Sequence, residues 1–252
     1  MSDVALHRLG GEGPDLLFIH GFGADRLSWL AVAPQLFDLA TVWAVEYAGH
    51  GAAGNDPGNG DPQTIASAIS TAIDGKLTRP HIVGHSLGGT LSLHLAAMMP
   101  DDLSGLLLLA PASLASRIDT GFVRAIPELD DPTAALDLLR RLVSRKVLVT
   151  PRMAEAMLAG LDSPIRRSAL RRIAAALETA SPPPFPSPVP CEILWGREDA
   201  IAAVPETDLP GLRIIEAVGH MPHIEAAGEV VSRLRTALSP DTPRGPTPPR
   251  NT

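Results

Sequence analysis

Short apolar segments alternate along the chain with longer stretches in which apolar residues recur every three or four positions. The short segments have the nearly continuous apolar character of strands that are buried on both faces of a sheet. Such strands are predicted at residues 4–9, 15–19, 41–45, 81–84, 105–109, 192–195 and 212–218. Helices are predicted at residues 26–36, 62–73, 87–99 and 225–238. This order predicts the α/β class, with a mostly parallel sheet flanked by helices.

The alternation of strands and helices stops between residues 113 and 181, where only helices are predicted. A capping residue stands directly before a proline three times in this segment, as Asp131-Pro132, Thr150-Pro151 and Ser163-Pro164. Such pairs mark helix starts, because the first side chain accepts a hydrogen bond from a free N–H group and proline suits the first helical position. The segment is therefore predicted to be an inserted helical cap.

The predicted elements divide the chain into four segments. Residues 1–112 and 182–238 form the two parts of the core, and residues 113–181 form the cap. Residues 239–252 form a proline-rich tail that we expect to be disordered. The proline-rich stretch at 181–190 is interpreted as a stiff spacer that returns the chain to the core, with a hinge for cap movement as the alternative.

The cap helix predicted at residues 164–180 carries four arginines, which are Arg166, Arg167, Arg171 and Arg172. They flank a stripe of apolar residues at helical spacing. One interpretation is an ordinary solvated face, which is the usual role of a run of charges. The other is a docking patch for an acidic cofactor or an acidic partner protein.

Composition narrows the class of protein. Of the 252 residues, 45% are hydrophobic and 19% are charged, which is usual for a globular domain with a substantial core. The net charge of −7 argues against nucleic acid as a partner. Cys191 is the only cysteine, so an intrachain disulfide is excluded and the residue is interpreted as buried and apolar.

No apolar segment has the length of a membrane helix. The longest purely apolar run, at residues 106–112, is far shorter than the roughly 20 residues that a bilayer requires. The N-terminal residues lack a charged region followed by an apolar region, so no signal peptide is predicted. We therefore expect a cytoplasmic location and no membrane partner.

The most informative motif is Gly84-His85-Ser86-Leu87-Gly88, between a predicted strand and a predicted helix. In this context G-x-S-x-G is typical of a nucleophile elbow, a sharp turn that raises a serine hydroxyl above the sheet. The two glycines leave room for the turn. Ser86 is therefore the candidate nucleophile, and the alternative is a glycine-rich turn with an incidental serine. His85 is expected to point away from Ser86, because neighbours on a strand alternate between faces.

A second motif, His20-Gly21-Phe22-Gly23, follows the strand predicted at residues 15–19. Acyl transfer places negative charge on a carbonyl oxygen, and backbone N–H groups that point at this oxygen stabilise the charge. The candidate oxyanion-hole donors are the N–H of Phe22, in the first strand–helix loop, and the N–H of Leu87, after the serine. The alternative is an ordinary glycine-rich turn at a strand end.

Two later loops offer the acid and the base that a serine nucleophile requires. The base candidates are His220 and His223, because a histidine can accept and return a proton near neutral pH. The acid candidates are the neighbours Glu198 and Asp199, either of which could orient and stabilise the histidine. The residues themselves leave both choices open.

The chain order Ser86, Asp199, His220 is that of the α/β hydrolases. The motifs HGFG, GHSLGG, WGREDA and GHMPHIE resemble those of esterases, carbon–carbon bond hydrolases and perhydrolases of this superfamily. Residues 106–112 and 195–200 also resemble the hydrolase-like C-terminal domain of the acyltransferase component of acetoin-cleaving dehydrogenase complexes. The resemblance implies the α/β-hydrolase fold, with His220 as the base directly after the glycine and Asp199 as the acid.

Two features depart from the usual pattern of the superfamily. Its members carry an aspartate where Glu46 stands in Glu46-Tyr47-Ala48-Gly49-His50-Gly51, so the loop near the site is expected to differ in shape. The N-terminal part is short, so one of the usual opening strands is expected to be missing or very short. Ser86 separates the chain from the haloalkane dehalogenases and epoxide hydrolases of the superfamily, which use an aspartate at that position.

These residues predict a serine hydrolase that cleaves small esters or thioesters through an acyl-enzyme, with no metal and no organic cofactor. The alternatives are carbon–carbon bond hydrolysis, perhydrolysis or acyl transfer by the same three residues, and then a non-catalytic binding module. The cap is expected to cover the active site and to supply most of an acyl pocket, which its many Ala, Leu and Met residues make aliphatic. The predicted partner is a small-molecule acyl substrate, and no oligomeric state is predicted.

Overall fold

The structure, a computed structural model, describes residues 4–239. Within them, seven strands form one sheet in the order β1-β3-β2-β4-β5-β6-β7. β1 is antiparallel to β3, and all other neighbouring strands are parallel. The strands are Val4–Gly10 (β1), Asp15–Ile19 (β2), Thr41–Tyr47 (β3), His81–His85 (β4), Gly105–Leu109 (β5), Cys191–Gly196 (β6) and Leu212–Ile215 (β7). The predicted α/β class and mostly parallel sheet are confirmed.

Helices follow most strands. They are Pro62–Ile73 (α1), Leu87–Met98 (α2), Thr120–Ala125 (α3), Pro132–Arg140 (α4), Pro151–Gly160 (α5), Pro164–Leu177 (α6), Pro222–Glu225 (α7) and Ala227–Leu238 (α8). The helices predicted at residues 62–73 and 87–99 are confirmed. In the described residues a single strand, β1, precedes β2, so the N-terminal part of the sheet is short.

Helices cover both faces of the sheet, and each face has its own apolar cluster. Ile82 of β4 belongs to the cluster that includes Ile69 of α1, and it lies on one face. Its neighbour Val83 belongs to the cluster that includes Leu234 of α8, and it lies on the other. Successive strand residues point to opposite faces, so an uninterrupted apolar strand supplies both clusters. Burial of each such side chain contributes about 1.5–3 kcal/mol to the stability of the fold. This burial holds the ends of the strands in place.

The helix predicted at residues 26–36 is wrong. This segment forms two short 3-10 helices instead, Arg26–Trp29 and Ala33–Leu36. Pro34 lies inside the predicted helix, where it lacks an N–H donor and its ring would clash with a carbonyl of the preceding turn. Asp25 also stabilises the first 3-10 turn, because its carboxylate accepts a hydrogen bond from the N–H of Leu27.

Two predicted boundaries near the C-terminus also differ from the structure. The strand predicted at residues 212–218 ends at Ile215, because Ala217 adopts a positive φ of 56° that turns the chain out of the sheet. The helix predicted at residues 225–238 begins at Ala227. It is preceded by the short helix α7, and Ala226 between them has the non-helical angles φ −130° and ψ 40°.

The helices α3 to α6 lie between β5 and β6 in the chain and form a third apolar cluster, which includes Phe122, Leu138 and Leu170. Two of the three predicted helix caps form hydrogen bonds. Asp131 accepts from the N–H of Ala134, and Ser163 accepts from the N–H of Arg166. Thr150 makes no side-chain cap bond. The predicted helical character of this segment is therefore confirmed.

The four arginines of α6 bind groups within the chain. Arg166 and Arg172 reach the loop after β3, whereas Arg167 and Arg171 reach the end of the turn after α3. Arg166 donates to the Gly160 and Gly51 carbonyls, and Arg167 donates to the Leu161 and Pro127 carbonyls. Arg171 binds the Glu128 carboxylate, and Arg172 binds the Asp56 carboxylate. The Arg166 and Arg172 contacts connect α6 to the core. The other two arginines bind the segment between β5 and β6 itself. These contacts favour a structural role over a docking patch.

The division of the chain into core segments and a cap stays a prediction. Residues 240–252, which make up nearly all of the predicted disordered tail, lie outside the described residues. Among the described helices, none combines the length and the apolar character that crossing a membrane requires.

Candidate active site

Ser86 occupies a sharp turn between β4 and α2. Its backbone angles are φ 52° and ψ −116°, a conformation that is strained for any residue other than glycine. The flanking glycines are required by space, since a methyl group at Gly84 would overlap the Ser92 hydroxyl and one at Gly88 would overlap the Ile19 carbonyl. The Ser86 N–H donates to the Leu109 carbonyl of β5 at 2.9 Å, which fixes the turn on the sheet. This geometry matches the predicted elbow.

Asp199 and His220 meet in the loops that follow β6 and β7. His220 Nδ1 lies 2.7 Å from Asp199 Oδ2, and both side chains are almost completely buried. The other carboxylate oxygen, Oδ1, accepts hydrogen bonds from the N–H groups of Ile201 and Ala202, both at 2.8 Å. A carboxylate can only accept, so Nδ1 carries the proton and Nε2 is the free, basic nitrogen of the neutral ring.

The structure distinguishes between the two candidates for the acid and between the two candidates for the base. Glu198 is exposed and accepts a hydrogen bond from the Ser144 hydroxyl, away from any histidine. His223 is buried, and its ring packs against those of Trp29 and His85 with centroids 4.7 and 4.5 Å apart. Neither of its nitrogens has a hydrogen-bond partner among residues 4–239. Only Asp199 and His220 are therefore paired.

Ser86 and His220 line the same cavity, together with Phe22 and Leu87. Within the described residues no hydrogen bond joins Ser86 to His220, which is common before substrate binds. The loop that carries Phe22 abuts the serine, because a methyl group at Gly21 would lie 3.2 Å from Ser86 Cβ. Leu87 begins α2, and the first N–H groups of a helix have no acceptor within the helix. The candidate oxyanion donors thus flank the candidate nucleophile.

His50, for which no role is predicted from the sequence, holds the loop that carries Phe22. The Gly23 N–H donates to His50 Nε2 at 3.0 Å, and His50 Nδ1 donates to the Ala48 carbonyl at 3.0 Å. The ring lies 4.5 Å from Tyr47 and 5.7 Å from Phe22. Burial, together with the nearby His20, lowers the pKa of His50 to about 3, which leaves Nε2 free to accept. The signal in the sequence was the Gly49-His50-Gly51 motif.

His85, which is expected to point away from Ser86, supports His220. Its ring lies 4.8 Å from that of His220, and His85 Nε2 donates to the His220 carbonyl at 2.8 Å. The alternation of strand faces ends at His85, because the next residue already belongs to the elbow. Burial lowers the pKa of His85 well below its usual value, and the neighbouring His223 and His220 add to this effect.

Glu225 connects the loop of His220 to the segment after α4. Its buried carboxylate accepts hydrogen bonds from the N–H groups of Gly219, Ser144 and Arg145, at 2.7, 3.1 and 2.9 Å. The His220 N–H donates to the Leu142 carbonyl at 2.8 Å. Residues 142–145 therefore form a fixed strap over the loop of His220, which the sequence did not predict.

Glu46, which replaces the usual aspartate, is buried at the end of β3. Its carboxylate binds the Arg26 side chain and N–H, the Ala52 N–H and His7 Nε2. Burial alone would raise the pKa of Glu46, but the hydrogen bonds from Ala52 and Arg26 and the nearby positive charge lower it below its usual value. The longer side chain thus anchors the loop that carries His50 and the first 3-10 turn.

The buried histidines make the folded chain sensitive to acid. Burial lowers the pKa of His81 to about 4 and that of His223 to about 3. A histidine in the unfolded chain titrates near pH 6.5, so below this pH the unfolded chain binds more protons than the folded chain. Stability is therefore fully present above about pH 6.5 and falls as the pH drops towards the folded pKa values, by up to about 1.4 kcal/mol per pH unit for each histidine.

We expect His81→Phe to reduce this dependence without disturbing the site, because it keeps a ring over Gly105 and removes the titrating group. The free energy of unfolding in urea, measured at pH 7, 6 and 5, should fall less steeply in the variant, by up to about 1.4 kcal/mol per pH unit. Equal slopes for the variant and the wild type would contradict this assignment.

A cavity of about 890 Å³ opens beside Ser86. It extends from the first strand–helix loop, through the elbow and the loop of His220, to side chains of α3, α5 and α6. This volume is within the usual range for small-molecule sites. The helices between β5 and β6 therefore contribute much of its wall, as the sequence predicted.

The sequence profile of the Alpha/beta hydrolase family matches residues 16–233. The chain is 29% identical over 243 residues to the dihydrolipoyllysine-residue acetyltransferase component of the acetoin cleaving system of Pseudomonas putida. This alignment covers 91% of the chain and 65% of the relative, so the chain spans slightly less than two thirds of the relative's length.

Solved structures give the same result for the fold. A meta-cleavage product hydrolase from Pseudomonas fluorescens IP01 matches with a TM-score of 0.81 and 18% identity, covering 94% of this chain and 96% of that one. An esterase from Thermogutta terrifontis matches with a TM-score of 0.73 and 24% identity, covering 94% and 93%. The family match spans most of the sequence, and the chain therefore belongs to the alpha/beta hydrolase family.

Proposed function

We propose that the protein is a serine hydrolase that cleaves carboxylic esters or thioesters through an acyl-enzyme. The observation that carries the proposal is the buried hydrogen bond of 2.7 Å between His220 Nδ1 and Asp199 Oδ2, beside a strained elbow serine. This bond leaves Nε2 of His220 as the free base, and His220 and Ser86 line one cavity. The esterase and the meta-cleavage product hydrolase among the structural neighbours are consistent with this chemistry.

The proposed reaction has two halves. His220 Nε2 removes the Ser86 proton as the Ser86 oxygen attacks the substrate carbonyl, and the N–H groups of Phe22 and Leu87 stabilise the resulting oxyanion. The tetrahedral intermediate then expels the alcohol or thiol, which takes the proton from His220. Water, deprotonated by His220, attacks the acyl-enzyme, and His220 then returns this proton to the Ser86 oxygen as the carboxylic acid is released. All proton transfers pass through His220, and Asp199 stabilises its charged form.

The experiment that tests the proposal is turnover of p-nitrophenyl butanoate and a butanoyl thioester, with acid quench and intact-mass analysis. We expect release of nitrophenol or thiol, and a fraction of the protein that carries one butanoyl group. A folded protein that neither turns over these substrates nor carries the acyl group would overturn the proposal.

Acyl transfer to a thiol is the second candidate, because the Pseudomonas putida relative is named as an acetyltransferase component. The acyl-enzyme would be the same, and the thiol would replace water in the second half of the reaction. Adding dihydrolipoamide to the butanoate assay separates the two functions. Transfer predicts a butanoyl thioester as the main product, whereas hydrolysis predicts butanoate at every thiol concentration.

We expect His50→Leu to lower kcat about 10- to 100-fold with little change in KM. The Gly23 N–H loses its acceptor, so the adjacent Phe22 N–H is no longer held towards the oxyanion. Because removal of one whole oxyanion donor lowers kcat about 100- to 1,000-fold, misorientation of one donor should lower it less. His50→Gln should retain most of the activity, because its side-chain oxygen can accept from Gly23. Equal kcat values for His50→Leu and His50→Gln would contradict a positioning role, whatever the thermal stability of the two variants.

A further inference from the structure

The cavity beside Ser86 is lined mainly by flexible aliphatic side chains. The helices and turns between β5 and β6 contribute side chains that include Val123, Ile126, Leu139, Leu142, Met153 and Met157. Phe22 and Phe122 are the only phenylalanines among the lining residues of the described chain, so the wall offers few surfaces for stacking an aromatic ring. Unbranched methionines adapt to a flexible chain rather than to one rigid shape.

Within the described chain, histidines apart, no buried charged side chain lines the cavity. Apart from histidines, the charged lining residues within the described chain are Asp25, Arg152 and Glu178. Asp25 caps the first 3-10 turn, and Glu178 is bound by both ends of the Arg124 guanidinium. Arg152 is exposed. A charged group in the substrate chain would therefore lose water without gaining a buried partner, which is costly.

Three large apolar side chains that line the cavity are exposed to solvent. Leu27 is 55% exposed and Leu30 is 66% exposed, and both line the cavity. Met153 lines it as well and is 36% exposed. These three side chains are half of the large apolar residues that the described chain exposes. Exposed apolar residues that cluster around one opening indicate a binding function rather than chance.

We propose that the substrates are esters or thioesters of unbranched aliphatic acids of medium chain length, whose acyl chain lies in this cavity. The inference rests on the proposed function, because the chain must be attached to the carbonyl that Ser86 attacks. The acyl carbonyl lies between Ser86 and the N–H groups of Phe22 and Leu87. The chain extends from it along Val123, Leu139 and Met157 towards the three exposed apolar side chains.

The test is a series of p-nitrophenyl esters with acetyl, butanoyl, octanoyl and dodecanoyl groups, each below its micelle concentration. We expect kcat/KM to rise about threefold for each methylene between acetyl and octanoyl, because each buried methylene leaves water. A kcat/KM that is flat or falls from acetyl onwards overturns this inference and leaves the proposed function intact. Absence of turnover for every ester and of labelling by a fluorophosphonate probe overturns the proposed function instead.

A matched pair of variants tests where the acyl chain lies. Val123→Trp fills the cavity, whereas Val147→Trp places the same side chain at a position that is 86% exposed and does not line it. We expect Val123→Trp to reduce the octanoyl-to-acetyl ratio of kcat/KM at least 30-fold, and Val147→Trp to leave the ratio unchanged. An unchanged ratio in folded Val123→Trp overturns the assignment of the chain to this cavity.

A second matched pair keeps the test decisive if Val123→Trp fails to fold. On α5, Ala156 lines the cavity and Ala159 does not, and both are exposed, so tryptophan is tolerated sterically at either position. Ala156→Trp should lower the octanoyl-to-acetyl ratio and Ala159→Trp should not. Equal ratios in the two variants overturn the inference.

Discussion

Replacement of Ser86 by alanine is expected to lower kcat for ester hydrolysis by about five to six orders of magnitude. The variant loses the oxygen that forms the acyl-enzyme, while Asp199 and His220 keep their hydrogen bond. Alanine also removes no contact that holds the elbow, because the bonds of residue 86 to Leu109, Gly89 and Thr90 are made by its backbone. The folded structure and its thermal stability should therefore change little.

A fluorophosphonate probe measures this without any assumption about the substrate. Intact-mass analysis should show one probe group on the wild type and none on Ser86→Ala. Ser113→Ala is the matched control, because Ser113 also lines the cavity and its buried hydroxyl has no partner among the described residues. This control should be labelled like the wild type. Labelling of Ser86→Ala would assign the reactive nucleophile to another residue, whereas absence of labelling of the folded wild type would favour a non-catalytic binding module.

The sheet could be predicted from the sequence because most of its strands are buried on both faces. A strand such as Gly105–Leu109 must then be apolar at every position, and its limits were predicted correctly. β3 extends two residues beyond its prediction because Glu46 and Tyr47 are polar in the sequence yet buried. Their polar atoms are satisfied by distant residues, such as Arg26 for Glu46, which local pattern cannot reveal.

The same limit applies to the site. The residues at the elbow and in the strand-end loops have short motifs, so Ser86 could be singled out as the candidate nucleophile from neighbouring residues. The choice of Asp199 over Glu198 and of His220 over His223 rested on resemblance, because both pairs are close in sequence. The roles of His50 and Glu225 depend on contacts with Gly23 and Ser144, which are far away in the chain.

Asp199→Asn is expected to lower kcat about 10,000-fold with the structure preserved. Asp199 Oδ1 accepts two N–H groups, from Ile201 and Ala202, so an asparagine must place its amide oxygen there. Its NH2 group then faces His220 Nδ1, where the carboxylate oxygen was. Two donors cannot share this contact, so the histidine must accept at Nδ1 and carry its proton on Nε2. In that tautomer Nε2 cannot take the proton of Ser86.

Glu198→Gln is the matched control, since the two acids are neighbours and each variant exchanges one oxygen for an NH2 group. Glu198 is exposed, and among residues 4–239 its side chain accepts only from the Ser144 hydroxyl, a bond that a glutamine oxygen can also accept. Its kcat should therefore stay within about twofold of the wild-type kcat, because substitutions at exposed positions usually have small effects. The measurement is the steady-state rate of each variant with one ester, compared between variants of equal thermal stability. If Glu198→Gln loses most of its kcat and Asp199→Asn keeps its kcat, Glu198 replaces Asp199 as the proposed acid. The buried hydrogen bond between His220 and Asp199 would then have no part in activating Ser86.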